Sequence, residues 1–369
     1  MNRSLTDGHF NDYNIVYLPY CTGDLFVGDK YLEASESVYS QALGNKQCLG
    51  QDKGMYMNGY NNTMAVLKWA LQNYPEPEHL VLGGYSAGSL AAQMWSAFVA
   101  KEWGVESKST KFQVLADSYV GVFPEYKVAA GSLINYYGGC GLVGFPDAMV
   151  AQCEAETATA AEMVSSLMEQ APSGEWLFVD SIADKTQRKF YQLVLLGIAG
   201  YPFTTLLPAD EFYGNMTVIL DTYSAFMNVT RFNIDSEQHV WLTGNDYASA
   251  VDLEGEMLGD VLTSWLSDSA STPTSTTATP TSTPEATTSA PTTTPESTTA
   301  TPISTPEATK SPPIATPAAT TSSSTLAPNG TTDSPTSIPE ATTATPVSTA
   351  DASSSTTTPE PTIGIFTYC

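Results

Sequence analysis

His79-Leu-Val-Leu-Gly-Gly-Tyr-Ser-Ala-Gly-Ser89 is the stretch on which the fold turns. Its opening, His79–Gly83, is a short aliphatic and β-branched run, the pattern of a strand buried on both faces. Ser89–Trp103 is a helix-forming stretch. Between them Gly84-Tyr85-Ser86-Ala87-Gly88 has the G-x-S-x-G form of a nucleophile elbow. The bare pattern arises by chance, so its position between a strand and a helix carries the reading. A sharp strand-to-helix turn forces its serine into a strained backbone conformation. The close approach of strand and helix leaves no room for Cβ at the flanking positions. Ser86 is therefore predicted at the C-terminal edge of a sheet, beside a helix N-terminus whose dipole and free N–H groups favour a developing oxyanion. The Ala87 N–H is the predicted donor to it.

Outward from this turn, strand and helix signals alternate. Asn14–Leu18 is a short apolar run ending at Pro19, and Thr63–Asn73 puts Met64, Leu67 and Leu71 on one helical face before Pro75. Phe112–Leu115 is a strand closed by Asp117, and Glu175–Val179 is one closed by Asp180. Arg231–Ile234 leads through a polar turn to His239, and Tyr247–Leu266 is predicted as a last helix, with Val251, Met257, Val261 and Leu262 available to the core. Apolar strands alternating with helices predict the α/β class, a mostly parallel sheet flanked by helices.

A serine nucleophile needs a general base, and that base needs a carboxylate to hold its tautomer. The chain has three histidines. His79 opens the elbow strand and so belongs to the opposite sheet edge, while His9 precedes the first strand. His239 follows the serine in a loop before the final helix, fitting the order Ser…Asp…His. Asp180 is the favoured acid, because it ends a later strand, nearer His239. Asp117, which ends the first strand after the elbow helix, is the runner-up, or else bonds a turn behind the site.

Composition divides the 369 residues into a domain at 1–266, which holds all six tryptophans, and a Thr/Ser/Pro-rich stretch at 267–369. The second part cannot bury enough apolar surface to offset the entropy of ordering it, so it is expected to be a disordered, mucin-like tail. Lys+Arg 14 against Asp+Glu 39, a net charge of −25, argues against nucleic acid and against an anionic membrane surface. No apolar run reaches the roughly 18 residues of a bilayer-spanning helix. The tail and the Asn-x-Ser/Thr patterns at Asn2, Asn61, Asn215, Asn228 and Asn329 point to a secreted or cell-wall-associated glycoprotein. Met1–Gly8 lacks an apolar signal core, so the export signal is expected upstream of this chain. A monomer is expected.

The chain has five cysteines. Cys140 and Cys153 flank a Gly-rich segment and are a candidate disulfide, Cys21 and Cys48 a second pair. Cys369 is left over, and the protein is expected to continue beyond it. No Cys/His spacing matches a zinc site, and neither an EF-hand loop, a P-loop nor a dinucleotide fingerprint is present. No metal and no cofactor is expected. Asp24 and Asp29 read as turn formers.

Tyr17-Leu-Pro-Tyr-Cys-Thr-Gly-Asp24, Gly84–Gly88 and Ala116-Asp117-Ser118 together resemble the pectin acetylesterase/Notum family of serine esterases. Trp176–Asp180 is similar to the family's acid-bearing strand, and Glu237-Gln238-His239 to the loop carrying its histidine. The resemblance covers residues 10–266. It implies an α/β-hydrolase-like fold and cofactor-free hydrolysis of carboxylic esters by Ser86, Asp180 and His239. Implied substrates are acylated polysaccharides such as acetylated pectin, or a lipid ester on a protein. Two departures stand out. The family's earlier strand, with a Gly-rich loop supplying another oxyanion donor, has no counterpart before Asn14. Its loss is expected to expose core, and either a truncated chain or an impaired hydrolase-fold surface module follows, truncation being favoured. Ser89 stands where a glycine is frequent, with little effect expected.

Overall fold

The computed structural model describes residues 8–33, 54–197, 203–226, 228–244, 247–267 and 362–368. Six strands form one sheet in the order β1-β8-β4-β5-β6-β7. They are β1 (Asn14–Pro19), β4 (His79–Tyr85), β5 (Lys111–Asp117), β6 (Glu175–Ser181), β7 (Val229–Ile234) and β8 (Ile363–Tyr368). Every neighbouring pair is parallel. That is the α/β architecture expected from short apolar runs separated by helices. A separate antiparallel pair joins β2 (Lys30–Leu32) to β3 (Met55–Met57).

Strand residues alternate between two buried layers, as the two-residue pleat requires. Leu80, Leu82, Val114, Trp176 and Phe178 face one layer, built from helices α1 (Gly59–Asn73), α2 (Ala87–Trp103), α5 (Ala160–Met168) and α7 (Ala209–Tyr223). Val81, Leu115, Leu177, Val179 and Phe232 face the other, where Phe10, Tyr13 and α8 (Leu258–Leu266) pack. Between α2 and α7 lie α3 (Ala130–Tyr136), α4 (Asp147–Glu154) and α6 (Lys185–Leu196). Cys140 and Cys153 form the expected disulfide, tying the turn after α3 to the end of α4. Cys21 is a free, exposed thiol among the described residues, and Cys48 lies outside them.

The sequence boundary at 266/267 is corrected by β8. The end of the predicted tail is a strand inside the sheet, with Val16 opposite Ile365 on one side and Leu82 opposite Ile365 on the other. Ile363, Ile365, Phe366 and Thr367 are buried. Ile363 and Ile365 join the larger core and Phe366 the smaller one, so β8 serves both layers. Gly83 and Gly364 make the room for the Phe366 ring. Composition hid this strand because six apolar-rich residues stand after some ninety of Thr, Ser and Pro. The core expected to be exposed for want of an N-terminal strand is covered, since β8 fills the place between β1 and β4. The rest of the expected tail, 268–361, lies outside the described residues.

The last predicted helix is also shorter than expected. Tyr247–Ser249 is one 3-10 turn, and α8 starts only at Leu258. In between, the Asp252 carboxylate accepts the amides of Glu254 and Glu256, and Gly255 sits at φ 91°, a turn no helix accommodates. Val251 and Met257 pair in an isolated bridge and are exposed rather than in the core. No helix among the described residues is long and apolar enough to cross a membrane.

Candidate active site

Ser86 sits where β4 ends and α2 begins, at φ 56° and ψ −125°. A non-glycine residue there costs about 1–3 kcal/mol and persists only where its surroundings enforce it. Here the Ser86 amide donates to the Asp117 carbonyl of β5 (2.9 Å). The glycine requirement at the flanking positions has a local cause. A Cβ on Gly84 would collide with the Gly88 carbonyl and the Thr367 hydroxyl, and a Cβ on Gly88 with the Thr367 carbonyl. Ala87 opens α2, whose first-turn amides have no intrahelical acceptor.

The carboxylate that meets His239 is that of Asp184, not Asp180. His239 Nδ1 lies 2.7 Å from Asp184 Oδ2, and Asp184 is fully buried. A carboxylate only accepts, so Nδ1 carries the proton and Nε2 is left as the acceptor. Nε2 is itself buried and has no hydrogen-bond partner among the described residues. The other carboxylate oxygen, Oδ1, caps α6 by accepting the Thr186 and Gln187 amides at 2.8 and 3.0 Å. The loops leaving β6 and β7 bring the pair together, because they run side by side past the strand ends. Ile182, Ala183 and Lys185 donate their amides to the carbonyls of Ile234, Ser236 and Glu237.

Asp180 is still within β6. Its Oδ1 accepts from Gln187 Nε2 (3.1 Å), its Oδ2 has no partner, and burial pushes its carboxyl well above the usual range. Gln187 Nε2 also lies 3.1 Å from Asp184 Oδ2, so one amide group ties the two acids together. Asp184 carried a sequence signal: an Asp with Gln three residues on, directly before an amphipathic stretch, marks a helix N-cap. The same carboxylate caps the helix and holds the histidine.

Asp117 holds the histidine loop from behind, the turn-bonding alternative. Its carboxylate accepts the amides of Trp241 (3.0 Å) and Leu242 (2.8 Å) and the Ser118 hydroxyl (2.6 Å). The Val240 amide donates to Ser118 Oγ (2.8 Å). Val240 itself is at φ 68°, a strained conformation for a β-branched residue. Burial raises the Asp117 carboxyl to about 6, an effect reduced by the Ser118, Leu242 and Trp241 hydrogen bonds and by the His239 charge.

The other two histidines are engaged elsewhere. His79 bonds Tyr13 and Gln113 at the opposite end of β4, and His9 bonds Tyr247 and the Gly259 carbonyl. Asp24 is buried; its carboxylate accepts the Phe26 amide, a local turn bond, and also the amide of Gly59 at the start of α1. Ser89 is more than a silent replacement for glycine. Its hydroxyl donates to the carbonyl of Tyr119, a residue of the cavity wall.

Ser86, Ala87 and His239 line one cavity of about 240 Å³. Tyr20, Leu25, Leu133, Tyr137 and Phe190 make its wall apolar and aromatic. Leu25 and the adjoining Phe26 both have positive φ, 57° and 63°, so this wall is backbone held under strain. Two further lining residues, Tyr119 and Gln187, each carry a buried polar oxygen without a partner among the described residues. The arrangement can activate a hydroxyl beside a pocket sized for a small ligand. No protein-family model matches the chain, and no curated protein is similar to it at a significant level.

Proposed function

We propose that the chain is a serine carboxylesterase of the pectin acetylesterase/Notum type. One observation carries the reading. His239, with Nδ1 held by buried Asp184 and Nε2 unpaired, opens on the same cavity as a serine at a strained strand-to-helix turn. In this reading Ser86 Oγ attacks the ester carbonyl and His239 Nε2 takes its proton. Asp184 stabilises the imidazolium, and the Ala87 amide donates to the oxyanion. His239 then returns the proton to the leaving alcohol, and water activated by the same nitrogen releases the acid.

An acetyl or other short acyl group on a polysaccharide is the proposed substrate. A cavity of about 240 Å³ is below the range of ~300–1,000 Å³ for sites enclosing drug-sized ligands. The orphaned Tyr119 and Gln187 oxygens suit a substrate with hydrogen-bonding groups beside the ester. The aromatic wall favours a second reading, a longer or lipid acyl chain. Export as a glycoprotein is consistent with Asn228, whose acceptor side chain is exposed in a turn before β7. Hydrolysis of matched aryl acetate and octanoate esters tests the activity. Ser86→Ala should lower turnover by at least ~10⁴-fold while leaving the melting temperature in place. Parental turnover in that variant overturns the nucleophile, and the acetate/octanoate ratio chooses between the two acyl classes.

A further inference from the structure

We propose that Thr367, on the last strand of the chain, is a positioning residue for the nucleophile; this rests on reading Ser86 as that nucleophile. Ser86 occupies a strained conformation, and its own side chain makes no capping bond to α2. The restraint must therefore come from neighbouring elements. On the β5 side it is the Asp117 carbonyl, which accepts the Ser86 amide. On the other side the neighbour is β8. Thr367 is buried there, with its Oγ1 2.6 Å from the Gly88 carbonyl and 3.2 Å from the Gly83 carbonyl. Gly83 precedes the turn and Gly88 lies in the first helical turn after it, so one hydroxyl spans the two arms between which Ser86 projects. Its single proton goes to Gly88, the nearer acceptor.

The fit is close on every side. Gly88 can be nothing larger because Thr367 occupies the space, and Gly84 because Thr367 and the Gly88 carbonyl share it. The two glycines of the G-x-S-x-G pattern and a residue nearly 280 positions later thus form one contact. Valine in place of Thr367 would keep the shape but set a methyl against two carbonyl oxygens, shifting the arms and the serine with them. Serine would keep the donor.

The test uses the full chain. In aryl acetate hydrolysis, Thr367→Val should lower kcat about 10-fold or more with KM unchanged, because misplacing a reacting group costs rate rather than binding. Thr367→Ser should stay near the parent. Parental kcat in the valine variant, or equal losses in both, overturns the proposal. If the valine variant shows no cooperative melting, Thr367→Ala, which removes the hydroxyl without adding bulk, is read by the same criteria. If the parent neither hydrolyses esters nor reacts with an organophosphonate, the esterase reading fails by itself. Hydrogen exchange at the Ser86 and Ser89 amides then decides on Thr367. Faster exchange in the valine variant and not in the serine variant supports a clamp on the turn, and parental rates in both overturn it.

Discussion

At the scale of single residues, three buried carboxyl groups near one histidine have separate tasks. Asp184 bonds the imidazole, Asp117 holds the loop that carries it, and Asp180 accepts from Gln187. Asp184→Asn keeps the helix cap through its oxygen but presents the wrong partner to Nδ1. Its kcat should fall ~10³–10⁴-fold, the loss expected when a base is held in the wrong tautomer. Steady-state ester hydrolysis measures this, and a drop of only a few fold would return the acid's role to another residue. Asp117 gives a pH signature. Its carboxyl is raised from 3.8 to about 6 in the folded protein, so the folded state keeps a proton that the unfolded chain releases. Stability from the neutral carboxyl is present below pH 4 and lost as pH rises through about 6. Over that interval the parent should lose about 3 kcal/mol relative to Asp117→Asn, as read by urea unfolding at several pH values. Parallel pH profiles for the two proteins would show that burial of Asp117 carries no such cost.

At the scale of elements, the site is made where loops leave the C-terminal ends of parallel strands. β4 supplies Ser86, β5 the loop anchor, and the β6 and β7 loops bring Asp184 and His239 alongside each other. That much was legible, because strand-ending Ser86 and the order of His239 depend on local pattern. Asp184 was legible only as a helix N-cap; its meeting with His239 was not, because that depends on where the β6 and β7 loops run, and β6 extends two residues past its apolar run, through Asp180 to Ser181. The helix α3 supplies Leu133 to the cavity wall, and Tyr137 follows at its C-terminal cap. The Cys140–Cys153 disulfide closes the next segment, with a sequence separation of 13. Replacing both cysteines by serine should cost about 3 kcal/mol of unfolding free energy, the loop-closure contribution of a bridge this short. Guanidine denaturation reads it, and an unchanged midpoint would mean that packing alone holds this wall.

At the scale of the whole molecule, a strand near the start of the sequence pairs with one near its end. β1 pairs only with β8 in the six-stranded sheet, so the first strand is joined to the rest through the last. Ile363, Ile365 and Phe366 are fully or almost fully buried, and burying each contributes about 1.5–3 kcal/mol. Their sum is comparable to the ~5–15 kcal/mol by which a typical domain is stable. Composition alone would lead to a chain cut after Ser267 melting like the parent. The structure leads to the opposite expectation: truncation removes an inner strand and should abolish cooperative melting or lower its midpoint by well over ten degrees. Differential scanning calorimetry of the two chains distinguishes these outcomes, and coincident melts would show β8 to be dispensable.

The amino-acid pattern was enough for the α/β class and for Ser86 at a strand-to-helix turn, and it named His239 and the Cys140–Cys153 pair as candidates. Each is written in local spacing: a five-residue turn between a strand and a helix, a rare residue type in a required order, two cysteines near in the chain. Which carboxylate meets the histidine, what makes Gly84 and Gly88 obligatory, and where the chain's last residues go were decided by tertiary structure. All three depend on contacts between segments far apart in sequence. Asp184 meets His239 because two adjacent strands end in register, and Thr367 meets the elbow because a strand following a long polar segment returns to the middle of the sheet. Local patterning encodes which face of an element is buried, and it does not encode which element will bury it.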